Sequence, residues 1–322
     1  MADRRRNGRR RFRNVFLISM VVFIIIFSYG YNMLDKMKRM DISTDDSDLG
    51  ITEDSLNDKD IINIALFGLD RKDPSSVGRS DSIMIASLDK RHGKIKLTSL
   101  MRDTYVDIPG RGMDKLNHAY AFGGPELAIR TINQNFNMNI REFATVDFFG
   151  LEQIIDVMGG VEIDVHPNEI KYINTGVKGM DSLDNSRSPL IQNAGVQPLT
   201  GRQAVAYSRI RKTGSGDYER TERQRAVLEK VLRTGMNAGV AKYPRLLNAM
   251  LPYVETSLSK PEILAMGTST LTSRIRDIEQ YRIPVDDHLK HATIDGVFYI
   301  IPQTLDDNIT LLNRFIYEDM KD

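Results

Sequence analysis

Short apolar runs separated by polar turns recur along this chain, and one apolar run is far longer than the rest. Residues 15–31 (VFLISMVVFIIIFSYGY) carry no charge. Extended through Leu34, they reach about the twenty residues a helix needs to cross a bilayer. Residues 35–60 are rich in Asp, Ser, Thr, Lys and Asn with few apolar positions, the pattern of a stalk or linker. From residue 61 the periodicity alternates between strand and helix. IINIALFG (61–68), SIMIASLD (82–89) and KIKLTSL (94–100) read as strands, the last two joined by a turn at 90–93. PELAIRTINQNF (125–136) reads as a helix with Pro125 in its first turn. EFATVDF (142–148) and VEIDV (161–165) are strand-like and flank a helical GLEQIIDVMGG (150–160) that stops at glycine. Residues 168–194 are polar and read as an irregular surface excursion. Helical composition returns at 201–210 and 220–232, then around 244–258 and 260–273. IEQYRIPV (278–285) and GVFYIIP (296–302) read as late strands, and LDDNITLLNRFIYED (305–319) as a closing helix. This order predicts an α/β domain with a mixed sheet in α–β–α layers over residues 61–322, with ligands at loop ends.

Charge changes the picture at the N-terminus. Net charge is only +1, but Arg4, Arg5, Arg6, Arg9, Arg10, Arg11 and Arg13 precede the long apolar run and an acidic stretch follows it. The positive-inside rule then makes 1–14 a cytoplasmic tail and 15–34 a transmembrane segment, with 35–60 an extracellular linker and 61–322 an extracellular domain. After the apolar run come Asn32, Met33, Leu34, Asp35 and Lys36, with no small-x-small cleavage site, so an uncleaved signal anchor is expected. The chain has no cysteine, which excludes disulfides and thiolate zinc sites.

Candidate chemistry concentrates in residues 207–225, YSRIRKTGSGDYERTERQR. Arg209, Arg211, Lys212, Arg220, Arg223 and Arg225 surround a flexible loop at 213–216. Arginine grips phosphate through parallel hydrogen bonds and stays charged. A helix starting near Asp217 adds oriented N–H groups. The bland alternative is a solvated helix on which Glu219 and Glu222 pair with these arginines. On a continuous helix Arg209 and Arg211 would diverge by about 200°, so both reach one anion only if the helix ends near Tyr207.

A second polar constellation lies upstream. The first strand ends at Asp70, Arg79 and Asp81 open the second, and Arg102-Asp103 follow the third. Aspartates without histidine or cysteine partners favour a hard cation such as Mg²⁺. Arginines beside it suit a phosphate-bearing substrate. Taken singly, each aspartate also fits a turn or a helix cap.

With FGLD (67–70), GRSDSIMIASLD (78–89), LTSLMRDTYVDIPG (97–110), KLNHAYAFGG (115–124), DFFGLEQIIDVMGGVEIDV (147–165) and LTGRQAVAYSRIRK…DYERTERQR (199–225), the chain resembles the LytR-CpsA-Psr family of bacterial cell-wall enzymes. The resemblance spans residues 61 to about 232. It implies a Gram-positive membrane protein whose extracellular domain transfers an anionic glycopolymer, wall teichoic acid or capsular polysaccharide, from a polyprenyl-pyrophosphate carrier to peptidoglycan. Polyprenyl phosphate is released and Mg²⁺, or Mn²⁺ in its place, is required. The muramic acid C6 hydroxyl is the implied acceptor. Asp70 and Asp81 would hold the metal. Arg79, Arg102, Arg209, Arg211, Arg220 and Gln224 would bind the pyrophosphate. Arg102, Arg209, Arg211 and Arg220 would act in catalysis with Asp103, which would orient an arginine. The sequence departs from the family pattern at Met101, where proline is common, and at Thr213, where an acid often stands. An apolar cleft for the polyprenyl tail is implied, though its walls cannot be assigned from the sequence.

Two other readings use the same residues. A lipid-carrier phosphatase or pyrophosphatase would employ water as the nucleophile. A membrane-bound transcriptional attenuator would use the basic tail or the arginine loop on nucleic acid. Against the second, there is no helix-turn-helix pattern, and the anchor places the loop outside the cell, so no nucleic-acid partner is expected. Asp70, Asp81 and Asp103 all stay open as general base. His92, His166, His288 and His291 show no ligand spacing, and His118 reads as structural.

Overall fold

A seven-stranded mixed sheet divides the protein into two packed halves in the computed structural model, which describes residues 30–71, 78–213, 216–239, 242–273, 275 and 277–321. In chain order, β1 (Lys38–Arg39), β2 (Ile61–Asp70), β3 (Arg79–Asp89) and β4 (Lys94–Leu100) precede a hairpin of β5 (Tyr105–Ile108) and β6 (Gly112–Lys115). Helix α1 (Leu116–Phe136), β7 (Glu142–Asp147), α2 (Phe148–Met158) and β8 (Val161–Val165) follow. Next come α3 (Ile170–Asp184), β9 (Gly195–Leu199), α4 (Gly201–Ser208) and α5 (Asp217–Asn237). The chain continues through α6 (Tyr243–Met250), β10 (Glu255–Thr256), α7 (Lys260–Thr272) and β11 (Asp277–Ile283). It closes with the hairpin β12 (Leu289–Ile294) and β13 (Val297–Pro302), then α8 (Leu305–Tyr317). The sheet order is β1-β10-β7-β2-β3-β4-β11. β2 pairs with β7 in parallel and with β3 antiparallel, and β4 pairs with β11 in parallel.

Strand alternation sorts side chains between the two faces. Ala65, Phe67, Leu69, Ile83 and Ile85 join the main core with Ile129 and Ile132 of α1 and Phe315 of α8. Leu66, Gly68, Ser82 and Met84 turn to the opposite face. There a second core forms from Ile155, Ile163, Ile173, Val177, Ala204 and Val227. The expected α/β layering and the early strands are present. In α1, Gly123 and Gly124 are non-helical, and Gly124 has φ +65°, so Pro125 opens a new helical segment.

Residues 168–194 differ from the expected irregular excursion, because α3 fills most of them. Gly176 and Gly179 weaken the helical signal by about 1 kcal/mol each. Packing overrides that cost. Ile173 and Val177 are fully buried, and a Cβ at Gly176 would lie 2.9 Å from that of Ala206, so the glycine lets α3 lie close against α4. Arg202 of α4 reaches Glu152 at 2.9 Å, Asp181 at 2.8 Å and Asp184 at 2.6 Å, tying α2, α3 and α4 together.

The segment read as a linker lies docked along the domain. Leu49 is fully buried in the main core, and Asn133 Nδ2 donates to its carbonyl at 2.8 Å. β1 pairs with β10 at the sheet edge, and Met33 and Leu34 pack on Leu251. Leu49 thus gives the polar run a buried seat, while Met33 and Leu34, expected at the end of the transmembrane segment, pack on the domain instead. Most of the expected transmembrane segment, residues 15–29, lies outside the described residues. Among those described, no helix is long and apolar enough to cross a membrane.

At the sheet's other side, Lys96 is buried with its Nζ 2.8 Å from Asp89 Oδ2, 3.1 Å from Asp319 Oδ1 and 2.9 Å from the Ile316 carbonyl. Asp89, His92 and Asp319 are the one group of three ligating side chains close enough for a metal among the described residues. Lys96, together with Lys94 at 2.7 Å from Asp319, already balances the two carboxylates, so the cluster is a clasp that fixes the chain after α8.

Candidate functional site

The loop ends of β2, β3 and β4 meet the break between α4 and α5, as the two sequence constellations require. Asp81 reaches this junction through a β-bulge. Gly68 pairs with Ser82 but Leu69 pairs with Ser80, leaving Asp81 as the extra residue. Simple alternation would put it on the face of Ile83 and Ile85, inside the main core. The bulge re-aims it to the other side.

Helix α4 begins with a capping box, Thr200 accepting from the Gln203 N–H and the Gln203 side chain accepting in return. It ends at Ser208, so Arg209 and Arg211 leave the helical register and both line one cavity of about 520 Å³. Asp70, Asp81, Lys212, Arg220 and Gln224 share that lining. Arg211 Nη2 donates to Asp81 Oδ2 at 3.1 Å, and Arg220 Nη1 lies 3.7 Å from the same oxygen. Arg102 Nη1 donates to Asp81 Oδ1 at 2.5 Å. Arg209 Nη2 stands 3.5 Å from Asp70 Oδ2, its guanidinium 4.7 Å over the Phe148 ring.

Asp217, at the start of α5, is a node that the sequence reading did not single out as a site residue. It accepts from Arg102 Nη2 at 3.2 Å and lies 3.5 Å from Arg220 Nε and 3.7 Å from Arg211 Nε. Its position just after the Gly-Ser-Gly loop, at a helix N-terminus, was the available signal. Burial alone would raise its pKa, but the Arg220, Arg102 and Arg211 guanidinium groups hold it below the usual carboxylate range. Burial, reinforced by Arg102, pushes Arg220 down to about 10, so it stays charged at neutral pH. Burial would lower Arg102 too, yet Asp81, Asp103 and Asp217 outweigh it and raise the pKa. Arg102 Nε and Arg220 Nε are buried and make no hydrogen bond among the described residues, although carboxylates lie 3.3 and 3.5 Å away. Unmet guanidinium donors beside a cavity are what an anion would satisfy.

The other candidates spread out. Asp103 sits behind Arg102, 3.3 Å from its Nε, and binds Lys115 Nζ at 2.8 Å, outside the cavity lining. Arg79 is exposed at the first position of β3, in register with Asp70, and is not part of that lining either. Arg223 pairs with Glu219 as the bland alternative expects, but it is buried and not solvated. It donates to Glu169 at 2.8 Å, Glu219 at 2.7 Å and Thr213 Oγ1 at 2.6 Å, clamping the loop to α5. Arg225 turns to Gln280 at 3.3 Å.

For a metal, Asp70 and Asp81 offer oxygen donors to the same cavity, whose lining includes no histidine or cysteine among the described residues. That donor set fits a hard divalent cation, which takes one or two carboxylates and completes its shell with water and phosphate oxygens.

Behind Phe148 and Gln224, which line both spaces, lies a second cavity of about 230 Å³. Its walls are almost wholly apolar: Leu66, Met84 and Val146 from the sheet face Leu151, Leu228 and Val231 from α2 and α5. The sequence could not assign these walls, because strand and helix contribute single residues from distant segments.

The family model described as the LytR_cpsA_psr family matches residues 24–311. The Enterococcus faecalis protein named polyisoprenyl-teichoic acid–peptidoglycan teichoic acid transferase TagU is 34% identical over 262 residues, covering 78% of this chain and 80% of that protein. The Staphylococcus aureus protein named regulatory protein MsrR is 31% identical over 261 residues, covering 80% of this chain and 75% of its own. The structure of the LytR-CPS2A-psr family protein YwtF (TagT) with bound octaprenyl pyrophosphate lipid shares the fold. Its TM-score is 0.63 at 21% identity, covering 86% of this chain and 99% of that one.

Proposed function

The chain belongs to the LytR_cpsA_psr family, and from that premise we propose that it is a membrane-anchored, Mg²⁺-dependent phosphotransferase that moves a polyprenyl-pyrophosphate-linked anionic glycopolymer onto peptidoglycan. One observation carries this reading: an arginine-lined cavity and an apolar one lie side by side, with Phe148 and Gln224 in the lining of both. A pyrophosphate joined to a hydrocarbon chain has the same two-part chemistry. The bound octaprenyl pyrophosphate of the TagT structure and the name of the Enterococcus relative support the assignment.

Arg209, Arg211 and Arg220 bind the pyrophosphate oxygens, and Asp217, itself held by Arg102, keeps Arg211 and Arg220 in place. A peptidoglycan sugar hydroxyl attacks the phosphorus attached to the polymer. The new P–O bond forms as the bridging P–O bond breaks, the hydroxyl proton is lost, and polyprenyl phosphate departs. Catalysis is then mainly positioning and charge neutralisation. Held by Asp70 and Asp81, Mg²⁺ would supply further positive charge against the pyrophosphate. The apolar cavity takes the first isoprene units and excludes water from the leaving-group side.

A purified full chain given a lipid-linked donor and peptidoglycan should form a covalent polymer–peptidoglycan adduct together with polyprenyl phosphate. Release of polyprenyl phosphate without an adduct would make the protein a carrier phosphatase instead. The name of the Staphylococcus relative favours a regulatory reading. Protease added to wall-stripped cells separates the two, since a surface domain is digested and a cytoplasmic regulator is protected.

A further inference from the structure

Helix α5 serves three regions in turn. Arg220 and Gln224 face the arginine-lined cavity, Val227, Leu228 and Val231 wall the apolar one, and Lys230 and Arg233 open onto a third. That third cavity, about 650 Å³, is also lined by Lys242 and Arg245 at the start of α6, with Glu162 as its acidic side chain. Arg233 is paired with Glu229 at 2.6 Å. Lys230, Lys242 and Arg245 form no ion pair among the described residues, and Lys242 and Arg245 are exposed. From Gln224 to Arg233 the helix advances about 14 Å, so the cationic cluster lies well along the apolar cavity from the arginine site.

Helix α6, the turn after it and the start of α7 receive the N-terminal segment. The described chain begins at Gly30, the last residue but one of the apolar run 15–31. Lys36 Nζ donates to Asn248 Oδ1 at 2.6 Å, and Asn248 lies one turn beyond Arg245 on α6. Met33 and Leu34 pack on Leu251, and Lys260 Nζ sits 4.5 Å over the Tyr31 ring. Leu247, between Arg245 and Asn248, exposes 41% of its surface. Cations, an exposed leucine and the emerging end of the long apolar run are therefore gathered at one place. Val231 and Met250 bring the apolar cavity to α5 and α6.

We propose that Lys230, Arg233, Lys242 and Arg245 rest on anionic phospholipid headgroups of the bilayer that holds residues 15–29, orienting the domain so that its apolar cavity meets the membrane. The inference rests on the reading of residues 15–34 as an anchor. Each lysine or arginine beside an anionic surface strengthens attachment about fivefold, an effect confined to about 8 Å at physiological ionic strength. The anchor holds this cluster at the surface, where so short a reach matters. A soluble polyanion would have no reason to find its site beside the emerging anchor.

The chain has no cysteine, so Asn237→Cys gives one labelling site, exposed on the lining of this cavity. The labelled full chain is reconstituted in nanodiscs of phosphatidylcholine alone or with about one-third phosphatidylglycerol, an anionic lipid. Energy transfer to a headgroup acceptor is then measured. Transfer should rise with phosphatidylglycerol, and the rise should vanish in Lys242→Gln/Arg245→Gln, whose melting curve should match the parent. Equal transfer in both lipids, or an undiminished rise in the double variant, overturns the proposal. Loss of the rise on adding millimolar soluble glycerol phosphate also overturns it, and makes the cluster a site for free anions. Flotation of the chain with the nanodiscs checks the anchor separately, and a chain that fails to float removes the premise and the proposal together.

Discussion

Arg211 reaches Asp81 across 130 positions of sequence, donating from Nη2 to Oδ2 at 3.1 Å. The contact needs two backbone irregularities at once, the end of α4 at Ser208 and the bulge that turns Asp81 away from the main core. Arg209 and Arg211 keep 43% and 47% of their side-chain surface exposed, as ligand-gripping groups at a cavity mouth do. Replacing either with lysine keeps the charge and loses the fork. Arg209→Lys and Arg211→Lys should each slow transfer at least tenfold, about 1.4 kcal/mol of transition-state stabilisation. Melting temperature should barely move, because exposed ion pairs contribute about 0–1 kcal/mol. Full turnover in both variants would return this loop to a solvated charge cluster.

Arg223 should behave oppositely. It is buried against Glu169, which is 2% exposed, and its guanidinium also holds Thr213 and Glu219. Arg223→Leu leaves a buried carboxylate unpaired, a loss of about 3–5 kcal/mol. Calorimetry should show a clear fall in melting temperature. An unchanged melt would mean that the clamp adds nothing.

The two polar constellations and the break between α4 and α5 could be read from local sequence, because capping residues, glycines and charge runs act within a few positions. What the sequence hid depends on distant contacts. The helical stripe of Ile170, Ile173, Val177 and Met180 was masked by Gly176, whose purpose becomes visible only with Ala206 opposite. Leu49 looked like a stray apolar residue in a linker until Asn133 and the main core were found around it. Asp217 became a site residue only when three arginines from separate elements converged on it. Arg79 and Arg102 carry motif signals as good as that of Arg220, yet the cavity lining lacks both, since a motif marks a loop and not the direction of each side chain.

Asp70 and Asp81 should separate in their effects. Asp70 is 42% exposed, so Asp70→Asn should leave stability near normal while transfer falls or demands far more Mg²⁺. Asp81 keeps only 10% exposure and faces Arg102, Arg211 and Arg220, so Asp81→Asn should lower both activity and melting temperature. Pyrophosphate binding the native state should restore part of that melting temperature by mass action. A metal titration of turnover in both variants checks the assignment, which fails if the Mg²⁺ dependence is unaltered in each.

The Lys96 clasp predicts an acid limb in stability. Burial pushes the Asp89 carboxyl up, but Lys96 and His92 outweigh it and hold its pKa below the ordinary value. A depressed folded pKa contributes stability that is complete above the unfolded value of about 3.9 and is lost as pH falls through the folded one. Asp89→Asn should cost about 3–5 kcal/mol at pH 7 by leaving Lys96 under-compensated in the interior. The gap between variant and parent should narrow below pH 4. Denaturant melts at pH 7 and pH 3 measure it, and a constant gap would show that Asp89 does not titrate with folding.

The apolar cavity gives the most discriminating prediction, because it tests the lipid half of the substrate without touching the charged half. Leu228 lines this space from α5, is only partly buried, and sits one turn beyond Gln224. Leu228→Trp should fill part of the cavity at a cost of about 1–3 kcal/mol from overpacking, small enough to leave a folded protein. The arginine-lined cavity, with Arg209, Arg211 and Arg220, stays as it was. A donor with a long polyprenyl chain should lose at least tenfold in kcat/KM, because its first isoprene units no longer enter. A donor truncated to one or two isoprene units should react with both proteins at similar rates. If long and short donors are affected alike, the tryptophan acts through the pyrophosphate site and the cavity does not hold the lipid. If neither donor is affected, the hydrocarbon chain takes another path out of the site.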